Sequence, residues 1–148
     1  METSKLIECI QEGRFRSDLI EPRLIQPAEI INISSISILR ALATHKEDFK
    51  FLSETETWKK TPSRQRILFY MDRLNSFLND VSELNCSCAA YKYNHAKPEF
   101  EEEMARVKIL DKGTENFQTN FVGKCTSCSR EFAVTEDDRG LCTWVLKN

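Results

Sequence analysis

The sequence is short of the residues that break or loosen structure, with four glycines and four prolines in 148 positions. That scarcity excludes a collagen-like repeat and a Gly/Pro-rich linker. Histidine is scarcer still: His45 and His95 are the only two, and neither sits in a recognisable nucleophile motif. No apolar run approaches the ~18 residues that a membrane-spanning helix needs. The opening residues, Met1-Glu2-Thr3-Ser4-Lys5, carry both signs of charge and lead into a short apolar stretch, unlike a secretory leader. Charge surplus is missing as well, since 21 basic residues against 23 acidic ones give a net charge of −2. A protein that coats nucleic acid draws affinity from a basic surplus through counterion release. Only a local basic patch remains open to this chain. Neither G-x-x-x-x-G-K-[ST] nor G-x-G-x-x-G occurs, so the usual phosphate-cradling loops are excluded.

What is present is enough apolar material to fold. Hydrophobic residues make up 41% and charged residues 30%, the balance of a soluble globular protein of one domain or two very small ones. Residues 1–84 read as helical. Ser4 is a candidate cap for a short helix carrying Leu6, Ile7 and Ile10, with Gly13 as its stop. Residues 14–26, with Pro22, read as a connector. From Ala28 to Ala43 the apolar spacing predicts one buried helix, although its isoleucines also suit a strand. A short helical piece is expected around Glu47–Leu52. The clearest helix follows Thr61, a good cap, and Pro62, suited to a first helical turn. Its apolar stripe runs Ile67, Leu68, Met71, Leu74, Phe77, Leu78, Val81 and Leu84.

Residues 85–148 change character. Cys88–Tyr93 reads as a strand, and 94–104 is polar and acidic, its Glu cluster a solvated loop or an exposed helix start. Residues 105–110 and 116–122 alternate, with Asp111-Lys112-Gly113 as a turn between them. Glu131–Val134 and Leu141–Leu146 read as two more strands, joined by a turn at Asp137-Asp138-Arg139-Gly140. The predicted fold is α+β: a helical region, 1–84, followed by a small antiparallel sheet, 85–148, packed together as one unit.

Cysteine carries the chemical signal. The chain has Cys9, Cys86, Cys88, Cys125, Cys128 and Cys142, five of them after residue 85. Without a secretory leader, clustered cysteines point to a metal before disulfides. Cys125-Thr-Ser-Cys128 has the spacing that puts two sulfurs on one ion from a tight turn. Gly123, Thr126, Ser127 and Ser129 are small enough to let the backbone wrap, and Lys124 and Arg130 flank the pair. Cys86-Ser-Cys88 supplies a second pair, since residues two apart on a strand share a face. Thirty-six residues lie between the pairs, enough for two strands. The pattern is that of a zinc-ribbon-like site with one structural Zn2+ on Cys86, Cys88, Cys125 and Cys128. His95 or Cys142 in place of one of these is the competing arrangement, and five buried thiols the plain alternative.

An enzymatic reading finds little. Zinc deaminases carry H-x-E and P-C-x-x-C. Here three residues separate His95 from Glu99, and Gly-Lys rather than Pro precedes Cys125. The expectation is therefore a non-enzymatic, zinc-stabilised interaction module, an adaptor or subunit of a nuclear or cytoplasmic complex. The alternative is a single-stranded nucleic-acid binder with an OB-like or zinc-ribbon sheet. It would place aromatics such as Phe117 and Phe121 against bases, and Lys59, Lys60, Arg64 and Arg66 against phosphates.

Overall fold

The computed structural model describes residues 2–16, 20–21, 24–33, 35–53 and 64–147. Pro22, Lys59, Lys60, Thr61 and Pro62 lie outside the described residues. The fold is α+β, with helices and a four-stranded antiparallel sheet. The chain divides into two compact units, Met1–Ala90 and Tyr91–Asn148.

The first unit contains α1 (Thr3–Gln11), α2 (Pro27–Ile31), α3 (Ile36–Ala43), α4 (Lys46–Ser53) and α5 (Arg64–Leu84). Helix α5 is 21 residues long, about 31 Å at 1.5 Å per residue. Met71, Leu74, Phe77, Leu78 and Val81 form its buried stripe, each at most 1% exposed. They pack with Leu6, Ile30, Leu39, Leu42 and Phe49 into one core. Each such side chain contributes about 1.5–3 kcal/mol of burial. Helix α1 ends as the sequence predicts. Gly13 is left-handed at φ 69°, and Gly13 N–H and Arg14 N–H donate to the carbonyls of Ile10 and Cys9, a Schellman cap.

Two expectations for this unit need correction. Ser4 does not cap α1: the helix begins at Thr3, with Glu2 at the cap position and no side-chain cap bond. Thr3 is buried, and its Oγ1 accepts the N–H of Gln26 at 2.7 Å, which fixes the chain entering α2. The single helix expected over 28–43 is two helices. Asn32 ends α2 and Ser35 stands extended before α3. Both residue types bind nearby backbone groups outside helices, and this outweighs the continuous apolar spacing.

The second unit contains two short helices, α6 (Tyr91–Asn94) and α7 (Pro98–Glu103), then β1 (Val107–Glu115), β2 (Gln118–Cys125), β3 (Glu131–Glu136) and β4 (Cys142–Leu146). The strands pair antiparallel in the order β1-β2-β3-β4. This four-strand meander differs from the five-stranded Greek-key barrel of an OB fold. Phe121, Phe132, Val134 and Trp144 alternate inward and are buried. Tyr91 stacks on Trp144 at 4.2 Å between centroids, and Phe132 meets both rings edge-on. Gly123 lies beneath this cluster, where a Cβ would come within 3.0 Å of Val107 Cγ1. Its smallness serves core packing, not the wrapping of the cysteine turn expected from sequence.

Here too the structure corrects the sequence reading. Cys88–Tyr93 is not a strand: Ser87–Ala90 forms a 3₁₀ turn that runs into α6. A short apolar run fits either period, and Ala89-Ala90 lacks the β-branching that would favour extension. For the acidic segment 94–104 the helix-start alternative holds: it carries α7, with Pro98 in its first turn. The β1–β2 turn is at Asn116-Phe117, both left-handed at φ 49° and 65°. Asp111-Lys112-Gly113 instead continues β1, past a register irregularity between Ile109 and Asp111. The Asp137–Gly140 turn forms as predicted. Asp137 Oδ1 accepts the N–H of Arg139 and of Leu141, at 3.0 and 2.9 Å. These bonds and the Arg139 guanidinium hold its carboxyl below the usual aspartate range, the Leu141 N–H being the largest cause. Among the described residues no helix is long and apolar enough to cross a membrane.

Candidate metal centre

The end of α5 delivers the first cysteine pair. Asn85 turns the chain out of the helix in a left-handed conformation, φ 52°, which asparagine tolerates better than most residues. Its N–H still donates to the Val81 carbonyl at 2.8 Å. Its side-chain oxygen accepts from Arg40 Nε on α3 at 2.7 Å. Cys86 follows, its carbonyl accepting the Ala89 N–H at 3.2 Å, and Cys88 lies within that 3₁₀ turn. The pair thus comes from a tight turn, and the strand geometry expected for C-x-C does not apply.

The second pair flanks the β2–β3 turn. Cys125 is the last residue of β2, opposite Val107 of β1. Its N–H donates to the Arg130 carbonyl and its carbonyl accepts the Ser129 N–H, both at 2.9 Å. Thr126 ties the turn to β1 twice. Its N–H donates to the Arg106 carbonyl at 3.0 Å, and its hydroxyl contacts the carbonyls of Ala105 and Arg106 at 2.9 and 3.0 Å. Ser129 closes the turn at φ 66°, where an L residue carries a cost of about 1–2 kcal/mol. Glycine has no such cost but loses more freedom on folding. Ser129→Gly is therefore expected to raise stability by about 0.5–1 kcal/mol, read as a higher urea midpoint at unchanged slope. An unchanged or lower midpoint would show that the serine side chain stabilises the turn.

The structure brings together the four cysteines singled out from sequence. The sulfurs of Cys86, Cys88, Cys125 and Cys128 all lie within 4.8 Å of one another. A tetrahedral ion with ~2.3 Å bonds to sulfur holds its ligands ~3.8 Å apart. The cluster therefore needs little contraction to close on an ion. Cys86, Cys88 and Cys125 are buried and Cys128 is half-buried. Among the described residues no disulfide joins any of the six cysteines. Four soft donors in a mostly dry setting can hold a metal ion, and they fill a four-coordinate shell without water.

His95 and Cys142, the competing ligands, are not in this group. Cys142 pairs with Glu136, five residues along β3 from the strand end next to the cysteine turn, a distance of about 17 Å. Its thiol donates to Glu136 Oε2 at 3.5 Å and its carbonyl accepts His95 Nδ1–H at 2.9 Å. Burial and the Glu136 carboxylate push the Cys142 thiol up to about 11. Glu99, the proton shuttle of a deaminase reading, is bound by Lys112 Nζ at 2.5 Å. Arg66 is exposed on α5; Arg64 begins that helix, and Lys59 and Lys60 lie outside the described residues.

Sequence reasoning missed the support behind the cysteine turn. Glu101 is buried, 6% exposed, and its carboxylate accepts from Arg106 Nε at 2.5 Å and Nη2 at 3.1 Å. The Tyr91 hydroxyl donates to Glu101 Oε2 at 2.9 Å. Burial, then Glu101, holds the Tyr91 phenol far above its ordinary range, so it remains a donor. The Glu101 hydrogen bond likewise raises the pKa of Arg106. Arg106 is also the residue whose carbonyl receives Thr126, so the carboxylate steadies the metal turn at one remove. Comparison of the chain with protein-family models, with curated proteins and with solved structures gives no match.

Proposed function

We propose that the chain is a zinc-stabilised, non-enzymatic interaction module: an adaptor or subunit of a nuclear or cytoplasmic assembly. The observation that carries this reading is the four-sulfur cluster. Zinc favours four thiolates in a tetrahedron, and a shell filled by protein leaves no position for a reacting water. Such an ion supplies folding energy and no chemistry. The β1–β2 hairpin offers a partner an anchor, since Phe117 is 90% exposed at its tip. It occupies the second position of a turn whose two positive φ angles favour glycine there.

Two measurements on the full chain test this. Elemental analysis should find one zinc per chain, and X-ray absorption should show sulfur-only coordination at ~2.3 Å. An oxygen ligand from water would overturn the structural role. Cross-linked capture from cell extract should give a protein partner at fixed stoichiometry with the native chain, and lose it with Phe117→Ser at unchanged zinc content. Equal capture by both forms would sink the hairpin as the contact.

A further inference from the structure

The chain is acidic overall, yet one segment is not. Between Trp58 and Arg73 lie Lys59, Lys60, Arg64, Arg66 and Arg73 against the single acid Asp72, a local charge of +4 in a chain of net charge −2. The first turns of α5 arrange part of this charge with aromatic rings. Arg66, Phe69, Tyr70 and Arg73 stand at i, i+3, i+4 and i+7, one face of the helix. Phe69 is 64% exposed and Tyr70 38% exposed. Their rings meet edge-on at 5.7 Å, and the Arg66 guanidinium stands 5.6 Å from the Tyr70 ring centroid. Helix α5 does not need these residues for its core, because Met71, Leu74, Phe77, Leu78 and Val81 already provide its buried stripe.

From this face we infer that α5 binds single-stranded nucleic acid. The phosphates meet the exposed Arg66 and the half-buried Arg73, and one or two bases stack on Phe69 and Tyr70. Charge complementarity selects a polyanion. The exposed rings select one whose flat apolar faces are accessible: single strands present their base faces, whereas a duplex keeps them stacked inside. From position 66 to 73 the helix rises about 10 Å, and its two arginines neutralise about two phosphates. The inference is independent of the metal centre and of the adaptor reading, since it rests on none of the cysteines.

The test is fluorescence anisotropy of a labelled oligouridylate and an oligothymidylate with the zinc-loaded full chain at low salt. Binding should weaken with salt at a slope of about −1.4 in log K against log salt, as two contacted phosphates imply for a single strand. Phe69→Ala should weaken binding about ten-fold or more. Arg66→Ala should weaken it and flatten the slope by about 0.7. Lys108→Ala, on the sheet, should leave both unchanged. Phe69 and Arg66 are exposed, so circular dichroism should report unaltered folding in both variants. Duplex DNA of the same length should bind more weakly. The inference fails if neither oligonucleotide binds at low salt, or if Phe69→Ala binds like the native chain. It fails equally if polyglutamate displaces the oligonucleotide at the same charge concentration, which would mark a surface for acidic protein.

Discussion

Cys125→Ser is expected to abolish the proposed zinc binding and to leave residues 91–148 unfolded at 25 °C. The second unit has 58 residues, a size at which an apolar core alone is marginal. A structural zinc of the kind proposed contributes about 10–16 kcal/mol of binding energy that is also folding energy. Serine offers a hard, protonated oxygen at the position of a soft thiolate, and Cys125 is buried, so water does not readily replace it. The readouts are metal content and near-ultraviolet circular dichroism, which reports the Tyr91–Trp144 stack. Both signals should collapse in the variant and, for the native chain, on treatment with a strong chelator. Cys9→Ser, a substitution in α1, should alter neither. A Cys125→Ser protein that retains the native aromatic spectrum would show that the sheet folds without the ion.

Glu101→Ala should cost about 2–3 kcal/mol in urea unfolding. Removing one partner of a buried ion pair costs about 3–5 kcal/mol. The lower figure applies here because the Arg106 side chain is 42% exposed and keeps part of its hydration, whereas that of Glu101 is 8% exposed. The loss has two parts: the forked pair with Arg106, and the buried Tyr91 hydroxyl left without its acceptor. Tyr91→Phe removes only the second and should cost about 1 kcal/mol. Because Arg106 also receives Thr126, Glu101→Ala should release the metal to a chelator faster than the native chain does. A double-mutant cycle with Arg106→Ala separates the pair from the packing. A coupling energy near zero would mean that the two side chains act independently.

The cysteine cluster was legible because metal chemistry restricts spacing more tightly than packing does. Cys125-Thr-Ser-Cys128 has the spacing of a chelating turn, and Cys86-Ser-Cys88 was the closest-spaced pair left to complete four ligands, ahead of His95 and Cys142. The local geometry of Cys86 and Cys88 was not legible. Ala89, Ala90, Tyr91 and Tyr93 are apolar at positions that suit a strand or a helical turn, and tertiary packing chose the latter. Asp111-Lys112-Gly113 is a sound turn signal that lost to cross-strand pairing, since Gly113 lies opposite Asn120 inside a longer ladder. The Glu101–Arg106 pair left no mark in the sequence. It forms because Ala105 reverses the chain at φ 58°, and acids at 99, 101, 102 and 103 look alike until one of them is buried.

The pleat of β2 gives the sheet an unusual arithmetic. Phe121, Gly123 and Cys125 alternate onto the same buried side, so hydrophobic packing and ion capture share one parity. An extra residue between positions 121 and 125 would invert that parity, turning either the phenylalanine or the sulfur toward solvent. Length variation in this hairpin is therefore confined to its exposed tip near Asn116-Phe117, beyond Thr119, where β3 stops pairing with β2. There the chain can lengthen without disturbing what lies closer to the turn at Cys125–Cys128.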